Sequence, residues 1–300
     1  MKPATQSFYE LAVQRTVERL ATNLDAAVDL DALAVAAGLS PFHFHRVFKG
    51  MTGETPLELS RRLRLERAAW QLACSDAPVT EIAFDAGYET HEAFTRAFRA
   101  CYSTSPSGFR TRKYQRIELA APCGVHFSPD GRVPPFARRQ SGGEHMKVVI
   151  TEMPALRIAA VRHVGPYNQI PHAFEKLDAI ARPAGFFGRP GAAMVALYHD
   201  IPEMTPQHEL RSDAGVVVGD DVRLPEGLTE QRIPAGRYAR TVHRGPYERL
   251  GDTWARFLGE WLPASGHRIG DGPSFEVYRN TPADVPKDEL ETELYVSLAA

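Results

Sequence analysis

Two stretches decide the N-terminal fold, Ala36-Ala-Gly-Leu-Ser-Pro-Phe-His-Phe-His-Arg-Val-Phe-Lys49 and Ala86-Gly-Tyr-Glu-Thr-His-Glu-Ala-Phe-Thr-Arg-Ala-Phe-Arg99. In each stretch a glycine ends a short apolar helix, and a second helix then begins at a residue that can cap it, Ser40 or Thr90. Two short helices joined by a tight glycine turn are typical of a helix-turn-helix unit. The sequence therefore predicts two such units in tandem.

The second helix of each unit carries the same pattern, Phe-x-Arg-x-Phe, at 44–48 and at 94–98. Phenylalanines four positions apart lie on one helix face and can enter the core, which directs Arg46 and Arg96 away from it. Between the units, residues 56–73 carry a long apolar stripe that predicts one helix. Such a helix would act as a rigid spacer between the two recognition helices, and successive major grooves of DNA lie about 34 Å apart.

Residues 7–115 resemble the DNA-binding domain of AraC/XylS-family transcription regulators. The resemblance is carried by residues 36–49, by Arg62-Leu-Arg-Leu-Glu-Arg-Ala68, by residues 80–99 and by Thr104-Ser-Pro-Ser-Gly-Phe-Arg110. It implies an all-α domain of seven helices that binds double-stranded DNA with both recognition helices. By position, the base-facing candidates are Phe42, His45 and Arg46 in the first unit, and His91, Glu92, Thr95 and Arg96 in the second.

The chemistry of these side chains supports the implied roles unevenly. An arginine can donate two hydrogen bonds to guanine O6 and N7, which favours Arg46 and Arg96, and Glu92 can accept a hydrogen bond from cytosine N4. His45 and His91 either contact DNA or are ordinary surface histidines.

Two further residues also have alternative interpretations. Phe42 either contacts a thymine methyl group or packs beside its neighbours. Arg112 belongs to a basic run at the end of the domain, which either binds phosphates without reading sequence or is a solvated surface.

Length and composition favour two domains in a reducing compartment. A chain of 300 residues can bury two cores, and its 3 cysteines show no disulfide or metal-type spacing. We find no signal segment and no apolar run near the roughly 20 residues that a membrane span needs. The expectation is a cytoplasmic protein with no cofactor, no metal site and no membrane partner.

Residues 117–145 separate two patterns of hydrophobic periodicity. This stretch contains Pro122-Cys-Gly124, Ser128-Pro-Asp-Gly131 and Ser141-Gly-Gly143, which are turn and linker signals. Helical periodicity precedes it, and alternating strands and helices follow it. We therefore predict a DNA-binding domain at 1–116, a linker at 117–145 and an effector-binding domain at 146–300.

The C-terminal part contains an internal duplication. Arg162-His-Val-Gly-Pro-Tyr167 and Val242-His-Arg-Gly-Pro-Tyr247 each follow an alternating strand and precede a helical pattern, and later strands close each half. The pattern predicts an α+β domain of two strand-helix-strand-strand repeats. The two repeats would share one antiparallel sheet covered by helices.

Residues 146–300 resemble the GyrI-like small-molecule-binding domain that serves some AraC-type regulators as an effector module. The two Gly-Pro-Tyr turns, the segment Glu209–Val216, Phe275-Glu-Val-Tyr278 and Glu291-Thr-Glu-Leu-Tyr-Val296 carry the resemblance. It implies a hydrophobic and often cationic effector. It also implies a second possibility, because some free-standing relatives hydrolyse reactive toxins.

Period-two geometry suggests a candidate effector site. Glu276 shares a strand face with Tyr278, and Glu293 shares one with Tyr295. Carboxylates beside aromatic rings suit a flat cation. The Gly-Pro-Tyr helix adds Tyr247 and Trp254. Trp254, Phe257 and Trp261 are better explained as core residues. The two glutamates fit the site better than the alternative, in which they are ordinary exposed strand residues.

Two functions from different classes compete for the whole chain. The first is a transcription regulator that responds to a small molecule and whose partners are DNA, the effector and RNA polymerase. The second is a hydrolase in which Glu276 or a tyrosine acts as general base. No nucleophile–histidine or metal arrangement stands out, so we expect no catalytic residues and favour the regulator.

Overall fold

The computed structural model describes residues 3–112, 116–139, 146–202 and 205–299. Contacts between the described residues divide the chain into two compact units, one that contains 146–257 and 265–299 and one that contains 3–139 and 258–264. The sheet lies in the compact unit that contains 146–257, and the N-terminal helices lie in the other compact unit, as the duplicated patterns predict. Among the described residues, no helix is both long and apolar enough to cross a membrane.

The N-terminal part folds into helices only, which confirms the predicted class. Its seven helices are α1 Pro3–Thr22, α2 Leu30–Ala37, α3 Pro41–Thr52, α4 Pro56–Cys74, α5 Val79–Asp85, α6 His91–Tyr102 and α7 Pro106–Arg110. Helices α2 and α3 form the first helix-turn-helix unit, and α5 and α6 form the second. Helix α4 is the spacer predicted between them.

The sequence signals that delimit these helices act as expected. Gly38 ends α2 in the left-handed region at φ 65°, and the Ser40 hydroxyl caps α3 by accepting a hydrogen bond from the His43 N–H. Thr90 caps α6 in the same way through the Ala93 N–H at 3.1 Å. The caps fix where each recognition helix begins, and therefore which side chains its first turn presents.

Buried aromatic and aliphatic side chains hold the helices together. Phe44 and Phe48 of α3 and Phe94 and Phe98 of α6 are fully or almost fully buried, as their four-residue spacing predicts. The second unit has its own core, in which the α6 phenylalanines pack with Leu65 and Leu72 of α4 and with other apolar residues. The spacer helix is thus part of the core that it connects.

The C-terminal part is one eight-stranded antiparallel sheet with helices. The strands are β1 Val148–Met153, β2 Leu156–Val164, β3 Met194–Tyr198, β4 Arg211–Val218, β5 Thr229–Ile233, β6 Gly236–Arg244, β7 Phe275–Tyr278 and β8 Glu291–Ser297. They lie in the order β1-β6-β8-β7-β3-β4-β2-β5. The first repeat supplies helix α8, Pro171–Ala181, and the second supplies α9, Leu250–Arg256. A π-helical turn at Phe257–Trp261 and the short helix α10, Leu262–Ser265, follow α9.

Strand register assigns side chains to the two faces of this sheet. Ala196 lies opposite both Ala214 and Glu276, so these three residues share a face, which we call the helix-covered face. Ala173 and Leu177 of α8 pack there in one apolar cluster with Ala196 and Ala214. The other side, the opposite face, carries Phe275, Val277 and Tyr295 in a second cluster.

The predicted linker has no helix or strand in its described part, 117–139. It nevertheless packs on the helical unit: the Leu119 and Phe127 N–H groups donate to Glu66 of α4, and the Arg139 N–H donates to the Met51 carbonyl of α3. Residues 140–145 of the predicted linker lie outside the described residues. The predicted domain boundaries remain a prediction.

Candidate functional site

Helix α6 presents a polar face made of its predicted base-reading residues. His91, Glu92 and Arg96 are exposed, and Thr95 is half-buried. The buried Phe94 and Phe98 lie on the other side of the helix. The second unit therefore offers donors and acceptors from one surface, which is what readout in a major groove requires.

On helix α3, the predicted base-reading arginine contacts an aromatic ring of the same helix. The Arg46 guanidinium carbon lies 4.4 Å from the centroid of the Phe42 ring, a cation–π contact. This contact favours packing of Phe42 on its own helix over the predicted thymine contact, because the ring already supports the arginine.

The prediction that His45 faces the bases disagrees with this structure. His45 is only 3% exposed, so its side chain is buried rather than presented on the helix surface. The neighbouring His43 is also buried, and burial together with the charge of Arg46 lowers its pKa to about 4. His43 is therefore neutral near pH 7 and adds no positive charge to the helix.

Arg112 lies two residues beyond α7 and is exposed. A surface cavity of about 310 Å³ is lined by Arg112 and Arg116, together with Tyr102, Leu119 and other residues. The position of Arg112 outside both recognition helices agrees with the predicted phosphate contact, which stays a prediction.

Glu276 is the centre of the candidate effector site on the helix-covered face. Its side chain is 3% exposed, and its carboxylate accepts hydrogen bonds from the Trp254 Nε1–H at 2.7 Å and the Tyr278 hydroxyl at 2.9 Å. The Tyr198 hydroxyl lies 3.2 Å from Glu276 Oε2. The donors to this buried carboxylate in the described part of the chain are thus an indole and two phenols, all uncharged.

Aromatic rings surround this carboxylate. The Tyr278 ring meets Phe174 of α8 at 5.5 Å between centroids and Tyr247 at 5.4 Å, both edge to face. Burial and the Glu276 charge raise the pKa of Tyr278 well above its ordinary value, so its hydroxyl stays protonated. Burial also raises the pKa of Tyr247. The predicted Tyr247, Trp254, Glu276 and Tyr278 therefore lie together.

Glu293 and Tyr295 do not join this group, although sequence analysis placed them in the same site. Val277 lies opposite Glu293, and Phe275 opposite Tyr295, so both residues are on the opposite face of the sheet. Glu293 accepts a hydrogen bond from Arg240 at 2.8 Å and one from the Tyr295 hydroxyl at 2.9 Å. Burial and this carboxylate raise the pKa of Tyr295 to about 12.

Sequence analysis missed Tyr198 and Phe174. Tyr198 ends the segment Val195-Ala-Leu-Tyr198 as Tyr278 ends Phe275-Glu-Val-Tyr278, and these are corresponding strands of the two repeats. Aligning the two repeats strand by strand would have found Tyr198. The same alignment pairs Gly165-Pro-Tyr167 with Gly245-Pro-Tyr247 and, seven residues further on, Phe174 with Trp254, so it would have found Phe174 as well.

The described residues contain no group of three or more His, Cys, Asp or Glu arranged to bind a metal ion. The candidate site accordingly rests on one carboxylate, hydroxyl and indole donors, and aromatic rings. Such a set can bind an organic cation through charge and ring faces.

Comparison with known proteins finds family matches for two parts of the chain. Residues 33–112 match a helix-turn-helix domain, and residues 146–299 match the GyrI-like small molecule binding domain. The DNA gyrase inhibitor of Yersinia enterocolitica is 36% identical over 140 residues, which cover 45% of this chain and 87% of that protein. The regulatory protein SoxS of Salmonella typhimurium is 31% identical over 104 residues, which cover 35% of this chain and 97% of SoxS.

A solved structure, the C-terminal domain of EcmrR, covers 51% of this chain and 98% of its own at 20% identity. The TM-score of that comparison is 0.41. The family matches define the class of protein, a DNA-binding transcription regulator of AraC type with a GyrI-like C-terminal domain. The chain belongs to the GyrI-like family, whose domain spans more than half of its length.

Proposed function

We propose that this regulator responds to a flat organic cation that binds beside Glu276, and that its recognition helices read a specific DNA sequence. One observation carries the ligand class. Glu276 is buried at 3% exposure, and within the described ranges its hydrogen-bond donors are all uncharged. Hydrogen bonds from neutral groups satisfy the oxygen lone pairs but leave the net negative charge uncompensated.

A cation would supply the missing charge. The cost of keeping a carboxylate away from water falls when an opposite charge lies within a few ångströms. The rings of Tyr278, Tyr247 and Trp254 add faces on which a flat cation can stack. A neutral compound of the same shape would gain the stacking but not the charge contact.

Binding would have to move aromatic side chains. The Tyr278 ring already contacts Phe174 and Tyr247, and the Tyr167 ring contacts Tyr198 at 4.8 Å. A ligand that stacks on Tyr278 would displace at least one of these neighbours. Tyr247 lies in the turn just before α9, which also carries Trp254, so its displacement would alter the position of that helix.

The competing hydrolase function gains little from the geometry. The raised pKa of Tyr278 keeps its phenol protonated, which makes it a poor general base. Glu276 is the remaining candidate base, and its hydrogen bonds to Trp254 and Tyr278 occupy both carboxylate oxygens. We therefore propose a binding role for this carboxylate.

The ligand proposal is tested with the full-length chain and N-methylacridinium as the probe cation. A duplex selected from a random pool reports DNA affinity by fluorescence anisotropy, with and without the probe. We expect the cation to bind and to shift DNA affinity, and neutral acridine, at a pH where it is uncharged, to do so far less. Equal effects of both compounds would contradict the proposed ligand class, and turnover of the probe would support the hydrolase.

For DNA readout we propose that Arg46 and Arg96 contact guanine and that Glu92 contacts cytosine. His91 and Thr95 lie on the same polar surface of α6, and Arg112 contacts phosphate. Phe42 supports Arg46. His45 would contribute only if DNA binding exposed it.

The pair Arg96→Ala and Arg112→Ala separates base reading from phosphate binding. We expect Arg96→Ala to relax the preference at one base pair and to cost about 1–3 kcal/mol on the preferred duplex. Arg112→Ala should weaken binding to every sequence about equally and reduce the salt dependence. The measurement is affinity across single-base variants of the selected duplex. An unchanged sequence preference in Arg96→Ala would show that Arg96 contacts only phosphate.

A further inference from the structure

Residues 116–139, which we call the strap, are held by both helix-turn-helix units. The strap begins on the second unit, where the Tyr102 hydroxyl at the end of α6 donates to the Ile117 carbonyl at 2.6 Å. Ile117 and Leu119 pack against the apolar core that contains Phe94 and Phe98. The start of the strap therefore extends the core of the second unit.

The middle of the strap crosses the spacer helix α4 at Glu66. This carboxylate is 1% exposed and accepts hydrogen bonds from the Leu119 N–H at 2.9 Å and the Phe127 N–H at 2.8 Å. His126 Nδ1 lies 3.0 Å from the same carboxylate. The Phe127 ring packs 6.1 Å from Trp70 of α4, measured between ring centroids. Without the strap, Glu66 would lose most of the groups that make its burial tolerable.

Arg62 of α4 joins the strap to the first unit. Its guanidinium binds both carboxylate oxygens of Glu54, at 3.0 and 2.7 Å, and it donates to the Val125 carbonyl of the strap at 2.8 Å. Glu54 lies in the turn between α3 and α4 and also accepts a hydrogen bond from the Cys123 thiol at 3.1 Å. The buried Arg62–Glu54 pair thus gains contacts from two residues of the strap, and Arg62 also donates to Glu66 at 3.2 Å.

The end of the strap lies on the first unit. The Arg139 N–H donates to the Met51 carbonyl in the last turn of α3 at 2.8 Å, and the Phe136 N–H donates to Gln14 of α1 at 3.0 Å. Gly53, at φ 83°, follows α3, and a Cβ atom there would lie 2.7 Å from Pro122 Cβ. Only glycine leaves room for the strap to approach so closely.

We propose that the strap fixes the spacing and orientation of the two recognition helices, so that both enter DNA without a further ordering cost. Two linked binding elements gain affinity when they are already held at the separation that the target requires. The strap connects α6, α4, α3 and α1 in one run of chain. A loosened strap would allow the two helix-turn-helix units to move about α4. Binding to a DNA site that both units contact would then be weaker. This inference rests on the proposed DNA binding.

Strap release is measured with the thiol of Cys123, independently of DNA. Cys123 is buried, whereas Cys74 and Cys101 are exposed. In the Cys74→Ser, Cys101→Ser background, Cys123 is the single remaining thiol of the 3 in the chain. We expect Glu66→Gln to increase its rate of reaction with a thiol reagent by about tenfold or more, because opening of the strap exposes it. The control is Glu81→Gln, which alters an exposed carboxylate of α5.

DNA binding provides the second measurement, with the full chain and two duplexes. One duplex contains the whole selected site and the other contains only the half read by α6. We expect Glu66→Gln to weaken binding to the whole site by about tenfold and to leave the half site within about twofold. Phe127→Ala, which removes the ring on Trp70 and keeps the buried charges, should act in the same direction with a smaller effect.

The possible outcomes separate the two proposals. The role of the strap would be overturned if the Cys123 thiol reacted no faster in Glu66→Gln and Phe127→Ala than in the unmodified background. Equal losses of affinity for the whole site and the half site would overturn it too. Failure of the unmodified chain to bind either duplex would overturn the proposed DNA binding instead. In that case the thiol rates still decide whether Glu66 holds the strap closed.

Discussion

Glu276 and Glu293 lie on neighbouring strands, are nearly equally buried at 3% and 6% exposure, and differ in what neutralises them. Glu276 faces the helices and takes its hydrogen bonds from phenols and an indole. Glu293 lies on the opposite face and pairs with Arg240 at 2.8 Å. Burial of a carboxylate therefore does not identify a ligand site by itself. We propose that the uncompensated charge of Glu276 marks the ligand site, whereas the paired Glu293 belongs to the scaffold.

The internal duplication supports this division. Asp213 of β4 occupies the position in the first repeat that Glu293 occupies in the second, and it too is paired, with Arg162 and His199. Although burial opposes it, the hydrogen bonds from these two residues lower the pKa of Asp213. Glu276 corresponds to Ala196, which has no charge. The paired carboxylate is present in both halves of the domain, and the unpaired one occurs only in the second.

The largest effect is expected for Glu276→Gln, which keeps the shape of the side chain and removes its charge. Loss of one member of a buried charge pair costs about 2–5 kcal/mol, so affinity for N-methylacridinium should fall by roughly 30-fold or more. Affinity for neutral acridine should change by less than about threefold. Isothermal calorimetry on the full chain measures both. Equal losses for the two compounds would mean that the site recognises shape alone.

Glu293→Gln should have the reverse effect, lower stability with unchanged ligand affinity. Removing one partner of a buried ion pair leaves the other unpaired, and here Arg240 is still partly exposed, so we expect a loss of about 2 kcal/mol in the free energy of unfolding. Urea denaturation followed by near-ultraviolet circular dichroism gives this value, and calorimetry gives the ligand affinity. A loss of cation affinity similar to that of Glu276→Gln would show that the two faces of the sheet do not differ in their contribution to ligand binding.

Sequence analysis identified both Glu276 and Glu293 but did not show that they lie on opposite faces of the sheet. Period two within a strand correctly paired Glu276 with Tyr278 and Glu293 with Tyr295. Whether two strands present their glutamates to the same face depends on the register between them, which the intervening residues 279–290 determine. A shift of one residue in that register would move Glu293 to the helix-covered face. Alternation within each strand is unchanged by such a shift and so does not reveal it.

The N-terminal half was more predictable because its signals are local. Glycines and capping hydroxyls within a few residues of each other delimit α2, α3 and α6, and the phenylalanine spacing defines the core face. The packing of 117–139 was not predictable from its turn-rich composition. The relevant signal was in α4 instead, where Arg62 and Glu66 lie at positions that the fold buries. Buried charges in an otherwise apolar helix face require partners, and a nearby segment of chain provides them.

The smallest effect is expected for Tyr198→Phe, and the direction of its change in cation affinity tests whether the charge of Glu276 controls binding. Tyr198→Phe keeps the ring, which packs on Tyr167, and removes the hydroxyl 3.2 Å from Glu276. That hydroxyl donates a hydrogen bond to the carboxylate and so offsets part of its charge, and its removal should raise affinity for N-methylacridinium by about twofold to threefold. The same change at the opposite face, Tyr295→Phe beside Glu293, should leave that affinity unaltered. Calorimetry of both variants with the cation and with neutral acridine decides the point. Weaker cation binding by Tyr198→Phe would indicate that this hydroxyl contacts the ligand directly and that charge compensation at Glu276 does not dominate the site.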